Sequence, residues 1–138
     1  MLIIKNKEIY NTLITPTKIY VQEINKLIKK NLINGCCNIT GGGLIENIPR
    51  VLTKQLTAKI DLNKIKILNI FKWISKNGVD DYEMLRTFNC GVGFVLFAKK
   101  QNVTKISKIF SSKFKPYIIG EVVNKGSSKI EFIGNANF

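Results

Sequence analysis

Two glycine-rich stretches hold the residue types that could bind an anion. The first is NITGGGLIENIPR (38–50), in which Thr40 precedes three consecutive glycines, Gly41, Gly42 and Gly43. Consecutive glycines cost backbone entropy on folding, so they call for either a tight turn or a backbone kept bare for close approach. Backbone N–H groups gathered in such a loop can form a nest for a phosphate, with the Thr40 hydroxyl as a further donor. A plain strand-to-helix turn, with Glu46 complementing the helix dipole, is the alternative and stays open. The loop is neither of two common phosphate motifs. GxxxxGK[ST] does not fit, and GxGxxG fails at its third position, Glu46.

The second stretch is RTFNCGVGF (86–94). On a strand, Gly91 and Gly93 share one face and leave it without side chains, while Cys90, Val92 and Phe94 pack opposite. A bare face admits a ligand or another backbone. Asn89 offers an amide donor and acceptor where the strand opens. Among 20 lysines the chain has two arginines, Arg50 and Arg86, and each adjoins one of the glycine stretches. Arginine suits planar, bidentate recognition of a carboxylate or phosphate. Structural pairing with Asp80, Asp81 or Glu83 is the other reading for each.

Missing residue types narrow the chemistry. There is no histidine, which removes histidine-based triads and the commonest metal ligand. Cys36, Cys37 and Cys90 form no CxxC, and an odd number argues against a disulfide framework. They read as small buried hydrophobes, and no metal site is expected. Catalysis would have to rest on carboxylates, amides, backbone groups or a cofactor.

The elements that must position these residues alternate along the chain. Thr15 and Pro16 look like a helix start, followed by Tyr20, Ile24, Leu27 and Ile28 at helical spacing and a stop at Asn34-Gly35. Residues 36–40 read as a short strand running into the glycines, and 56–61 as a second strand. A helical turn begins near Leu44 and should stop and restart at Pro49. Ile67, Phe71 and Ile74 mark a helix ending at Asn77-Gly78. Asp80 and Asp81 place acid at the start of a short helix over 82–87. Residues 92–98 form a continuous apolar run, expected to be a central strand covered on both faces. Val103, Ile106, Ile109 and Phe110 give an amphipathic helix, and 117–123 and 129–133 two last strands around a turn at 124–128. Helices between strands, in 138 residues without an internal repeat or long linker, predict one layered α+β or α/β domain.

The net charge of +13 and pI near 9.8 invite a polyanion partner. The lysines are scattered through a chain dominated by Ile, Lys and Asn, however, and zinc-finger, RRM and KH signatures are absent. Nucleic acid is therefore not the expected partner, although the field favours phosphorylated metabolites. No apolar run is long enough to span a bilayer and the amino terminus lacks a signal-peptide core, so a cytoplasmic, non-membrane protein is expected.

TPTKIYV (15–21), NITGGGLIENIPRVL (38–52), MLRTFNCGVGF (84–94) and IIGEVV (118–123) together resemble the carboxy-terminal domain of the phosphoribosylformylglycinamidine cyclo-ligases, or AIR synthetases. The blocks stand in that family's order and spacing, over about residues 12–133. Residues 1–11 would then be an extension and 12–138 the domain. The resemblance implies a three-layer α/β/α fold of the α+β class, a mixed sheet flanked by helices and distantly ferredoxin-like. It also implies the purine-pathway step in which ATP activates the formamide oxygen of formylglycinamidine ribonucleotide. The amidine nitrogen then attacks, closing the imidazole ring of aminoimidazole ribonucleotide with release of ADP and phosphate.

By the same resemblance, Thr40, Gly41, Gly42, Gly43, Asn89, Cys90 and Gly91 would line the substrate cleft. Glu46, Asn47 and Arg50 would support it, with Arg86 beside it. ATP and magnesium would be held mostly by a preceding domain. No segment of that kind stands before Thr12, so the chain alone is not expected to cyclise anything. A separate polypeptide carrying the nucleotide-binding half is an implied partner, and an exposed apolar face could also support a homo-oligomer. The family usually has histidine where this chain has Asn38, which can hydrogen-bond but cannot shuttle a proton near neutral pH. The other implied role is a non-catalytic domain that binds a ribonucleotide phosphate or a partner.

Overall fold

The computed structural model describes residues 7–111 and 114–138. Helix α1 (Lys7–Leu13) leads into an extended stretch, and α2 (Val21–Lys29) begins only after Tyr20. The helix start expected at Thr15 and Pro16 is not used. The Thr15 hydroxyl instead donates back to the Asn11 carbonyl at 2.8 Å, which commits it to the end of α1.

Strands β1 (Gly35–Asn38) and β3 (Phe94–Phe97) pair antiparallel, from Gly35 opposite Phe97 to Asn38 opposite Phe94. Their side chains alternate between two cores. Cys36, Phe94 and Leu96 pack with Ile24 and Leu27 of α2 and Ile106 of α6 (Val103–Ile109). Cys37, Val95 and Phe97 join the larger core, together with Leu44 and Ile48 of α3 (Gly43–Val51) and Met84 and Leu85 of α5 (Asp81–Thr87). The ribbon is therefore covered on both faces, as the apolar run suggests. It is not central in a sheet, because among the described residues β3 pairs with β1 alone. A continuous apolar run records two covered faces, which does not require two hydrogen-bonded neighbours.

A second sheet is mixed. β2 (Leu56–Asp61) lies between β4 (Gly120–Asn124), antiparallel, and β5 (Ile130–Ile133), parallel. Ala58 and Ile60 enter the larger core. On the opposite face Thr57 is fully buried; its hydroxyl donates to the Ser128 carbonyl at 2.6 Å and accepts from the Gly126 N–H at 2.8 Å. β4 starts three residues later than expected because Tyr117 is engaged elsewhere. Its hydroxyl accepts from the Lys66 N–H, and the Lys66 ammonium lies 5.0 Å from its ring centroid.

Helix α4 (Asn69–Lys76) ends where Asn77-Gly78 predicts. α5 is capped by the Asp80 carboxylate, which accepts from the Glu83 N–H at 3.0 Å, an ordinary acidic N-cap. Pro49 does not interrupt α3, which runs on to Val51. So close to the end, proline forfeits a single helical bond. The Lys129 ammonium also caps that end, donating to the carbonyls of Pro49 at 3.1 Å and Leu52 at 2.9 Å. The whole is an α+β domain with a mixed sheet and flanking helices. No helix among the described residues is long and apolar enough to cross a membrane.

Candidate functional site

β1 ends at Asn38, the Ile39 N–H still reaches the Gly93 carbonyl at 3.0 Å, and the chain then enters the glycine turn. The three glycines do three different things. Gly43 lies against the end of α5, where a side chain would collide with the carbonyls of Leu85 and Phe88. Gly42 is the N-cap of α3 in left-handed backbone, at φ +91°, and a Cβ there would meet the Glu46 carboxylate at 2.7 Å. Gly41 is different: nothing lies within 4 Å of where its Cβ would stand. Two of the glycines are thus demanded by the fold, and one leaves open space.

Asn47, one turn into α3 and only 5% exposed, braces the loop from inside. Its amide nitrogen donates to the carbonyls of Gly43 at 2.8 Å and Gly41 at 3.1 Å, and lies 3.5 Å from that of Thr40. In a trans peptide the C=O and the following N–H point in opposite directions. The Thr40 carbonyl is held by the Gly43 N–H at 3.0 Å and the Gly41 carbonyl by Asn47, so the N–H groups of Gly41 and Gly42 point away from these bonds. Neither N–H has a hydrogen-bond partner among the described residues. The positive end of the α3 dipole lies behind them.

The two arginines meet at Glu46. Arg50 reaches one carboxylate oxygen at 3.4 Å and Arg86 the other at 3.8 Å. Arg86 also touches Glu83 at 3.5 Å, one of the acids named as a structural partner, and Arg50 lies 3.4 Å from the Asn47 side-chain oxygen. All of these charged side chains are substantially exposed, so the pairs stabilise by at most about 1 kcal/mol each. Their guanidiniums remain accessible to an incoming anion. What the sequence shows as two separate motifs, each with its arginine, is one cluster in space, joined through Gly43 and Glu46.

The second glycine stretch is filled by the protein itself. The Asn89 side-chain oxygen accepts from the Gly91 N–H at 3.0 Å, and Cys90 (φ 51°) and Gly91 (φ 97°) form a turn rather than a strand. A Cβ on Gly91 would meet the Lys66 carbonyl at 2.8 Å, and one on Gly93 would strike the Tyr20 hydroxyl. Cys90 is fully buried, its thiol donating to the Met84 carbonyl at 3.4 Å, and burial pushes that thiol up to about 12. The Cys90 side chain therefore faces the core and not a cleft. Thr40 is exposed beside the loop, and so is Asn38 at the end of β1, on the ribbon face shared with Phe94.

Sequence reasoning missed Tyr20 on Gly93, Lys66 on Gly91 and Lys129 at the end of α3. Each comes from a distant part of the chain, so no local signal marks it. Among the described residues no three His, Cys, Asp or Glu side chains gather so as to hold a metal ion.

The site is thus a turn of an α+β domain, with open space at Gly41 and two arginines paired on Glu46 beside it. Residues 3–133 match the family model described as AIR synthase related protein, C-terminal domain, and the chain belongs to that family. The match extends further toward the amino terminus than the blocks quoted above. The chain is 38% identical over 128 residues to the phosphoribosylformylglycinamidine cyclo-ligases of Streptococcus pyogenes and Streptococcus pneumoniae, covering 92% of this chain and 37% of each relative. It is 44% identical over 110 residues to the trifunctional purine biosynthetic protein adenosine-3 of Chironomus tentans, covering 78% of this chain and 8% of that protein. The chain thus spans little more than a third of the cyclo-ligases it matches.

Proposed function

We propose that this chain is the substrate-side domain of a phosphoribosylformylglycinamidine cyclo-ligase, and that its glycine turn receives the phosphate of the ribonucleotide substrate. The observation that carries this reading is the pair of outward N–H groups on Gly41 and Gly42, fixed by Asn47 and left bare at Gly41. Arg50 and Arg86 supply positive charge beside them, each already oriented by Glu46. The complete reaction closes an imidazole ring on formylglycinamidine ribonucleotide at the expense of ATP. In that reaction the residues of this chain bind and orient the ribonucleotide, which is where positioning contributes most.

The donor set here does not suit a magnesium ion, so ATP and magnesium fall to a nucleotide-binding half. Tyr10, Leu13 and Ile14, all more than half exposed, supply an apolar surface on which that half, or a second copy of this chain, can rest. The site as proposed consists of Thr40, Gly41 and Gly42, supported by Glu46, Asn47, Arg50 and Arg86, and leaves out the Asn89–Gly91 segment, which the protein itself fills.

Calorimetry with formylglycinamidine ribonucleotide tests the loop. The variant of choice is Gly41→Val, since substitution at Gly42 or Gly43 strains the fold itself. Binding should weaken at least about tenfold, and undiminished affinity in a folded Gly41→Val protein overturns the phosphate assignment. Mixing this chain with a nucleotide-binding half and following ATP-dependent ring closure tests the activity. Asn38, in place of the family's histidine, favours a second reading, a domain that binds the ribonucleotide without supporting turnover. A folded, associated pair that binds substrate and forms no product would establish that reading over the first.

A further inference from the structure

We propose that a cavity at the start of α2 is a binding site for a purine base, distinct from the glycine turn. Its volume is about 300 Å3, and it opens between residues 18–21, α2 and the β1–β3 ribbon. That space is at the small end of ligand pockets and suits a base with part of its sugar.

Its floor is aromatic. Tyr20 and Phe94 both line it, with ring centroids 5.3 Å apart and tilted by 45°. Phe114 meets the Tyr20 ring edge-on at 6.1 Å, so the ring is held from two sides. Gly93 completes the support: the Tyr20 hydroxyl sits where a side chain at position 93 would project. The glycine that looked bare in sequence is therefore the seat of this ring, and the stacking surface is preorganised. Ile19, Val21 and Ile24 supply apolar walls.

The polar groups are few and uncommitted. Asn25 on α2 and Asn38 at the end of β1 both line the cavity. Neither side chain has a hydrogen-bond partner among the described residues. Asn38 points to this side of the ribbon because it shares a face with Phe94, its register partner. An asparagine amide offers a donor and an acceptor side by side, which matches N7 and the N6 amine of adenine. Lys18 stands at the rim, its ammonium 5.6 Å from the Phe114 ring centroid, and gives a positive charge to the sugar-phosphate side.

The test is titration of adenosine into the full 138-residue chain, followed by 1H–15N NMR and calorimetry. Adenosine carries no phosphate, so it reads this cavity and not the glycine turn. A failure here leaves the phosphate reading standing, and the reverse also holds. The side-chain amides of Asn25 and Asn38 should shift saturably while the Gly41 and Gly42 N–H signals stay in place. Asn25→Ala and Asn38→Ala should each weaken binding about tenfold, and uridine should bind at least about tenfold more weakly than adenosine. Gly93→Ala should weaken it too by displacing Tyr20. The two asparagines are exposed, so their variants keep the test intact if Gly93→Ala does not fold. Absence of saturable shifts at both asparagines, unchanged affinity in Asn38→Ala, or equal binding of uridine overturns the proposal.

Discussion

Replacing Asn47 by alanine should loosen the glycine turn more than any other single change at the site. The side chain is almost fully buried and donates two good hydrogen bonds, at 2.8 Å to Gly43 and 3.1 Å to Gly41. The 3.5 Å approach to Thr40 is at the limit of a bond and is counted as nothing. At about 1 kcal/mol net for each bond, plus the packing lost around a truncated buried side chain, the cost is about 2–3 kcal/mol. For a domain of this size that lowers the melting temperature by about 10 °C.

Asn47→Asp sharpens the test, since a carboxylate would face carbonyl oxygens with no proton to donate. Its folded pKa should be raised, because protonation restores a donor and removes a buried charge. A raised folded pKa gives stability that is present at low pH and lost as pH rises past the ordinary carboxylate range. Asn47→Asp should therefore recover on acidification, relative to the parent, and Asn47→Ala should not. Urea unfolding followed by Trp73 fluorescence and circular dichroism measures all of this. A change below about 0.5 kcal/mol in both variants, the scatter of ordinary surface substitutions, would show that Asn47 does not hold the loop.

Alanine at the glycines should separate by position. Gly43→Ala meets two backbone carbonyls in left-handed backbone (φ 52°) and should cost more than about 2 kcal/mol, whereas Gly41→Ala, with open space around it, should stay within about 0.5 kcal/mol. Equal melting temperatures for the two would contradict the division of labour described for the turn. Cys90, its thiol pushed from 9.0 up to about 12 by burial, should resist alkylation at pH 8 until the protein is unfolded. The same raised pKa adds stability that is complete below pH 9 and lost as pH climbs from about 9 toward 12. Rapid labelling of native Cys90 would count against its place in the core.

Much of this architecture is legible in the sequence where local physics governs it. The strand at 56–61, the acidic cap at Asp80 and the stop at Asn77-Gly78 follow from periodicity and capping alone. The start of α2 is misread because Thr15 bonds backward to Asn11, a choice that depends on α1 being there. The two glycine motifs are visible, but their junction at Gly43 and Glu46 is not, since it requires α3 and α5 to pack. The bare face of Gly91 and Gly93 shows the same limit. Its emptiness is plain in sequence, yet what fills it, Lys66 and Tyr20, comes from segments far along the chain.

The pairing of β1 with β3 has a consequence for the order of assembly. Asn38 and the glycine turn sit at the end of a ribbon whose second strand is made more than fifty residues later, with Asn38 opposite Phe94. Closing a loop of that length costs roughly 3–4 kcal/mol of chain entropy before any contact offsets it. The turn's own bonds, from Asn47 and from the Gly43 N–H, all lie within residues 40–47, but its anchorage to the ribbon waits until α3, β2, α4 and α5 have been synthesised and β3 has docked. At ordinary elongation rates of about 5–20 residues per second, that leaves the anchorage unmade for several seconds on the ribosome. A nascent chain stopped before residue 94 would contain every residue of the glycine turn and still lack the strand that holds it in place.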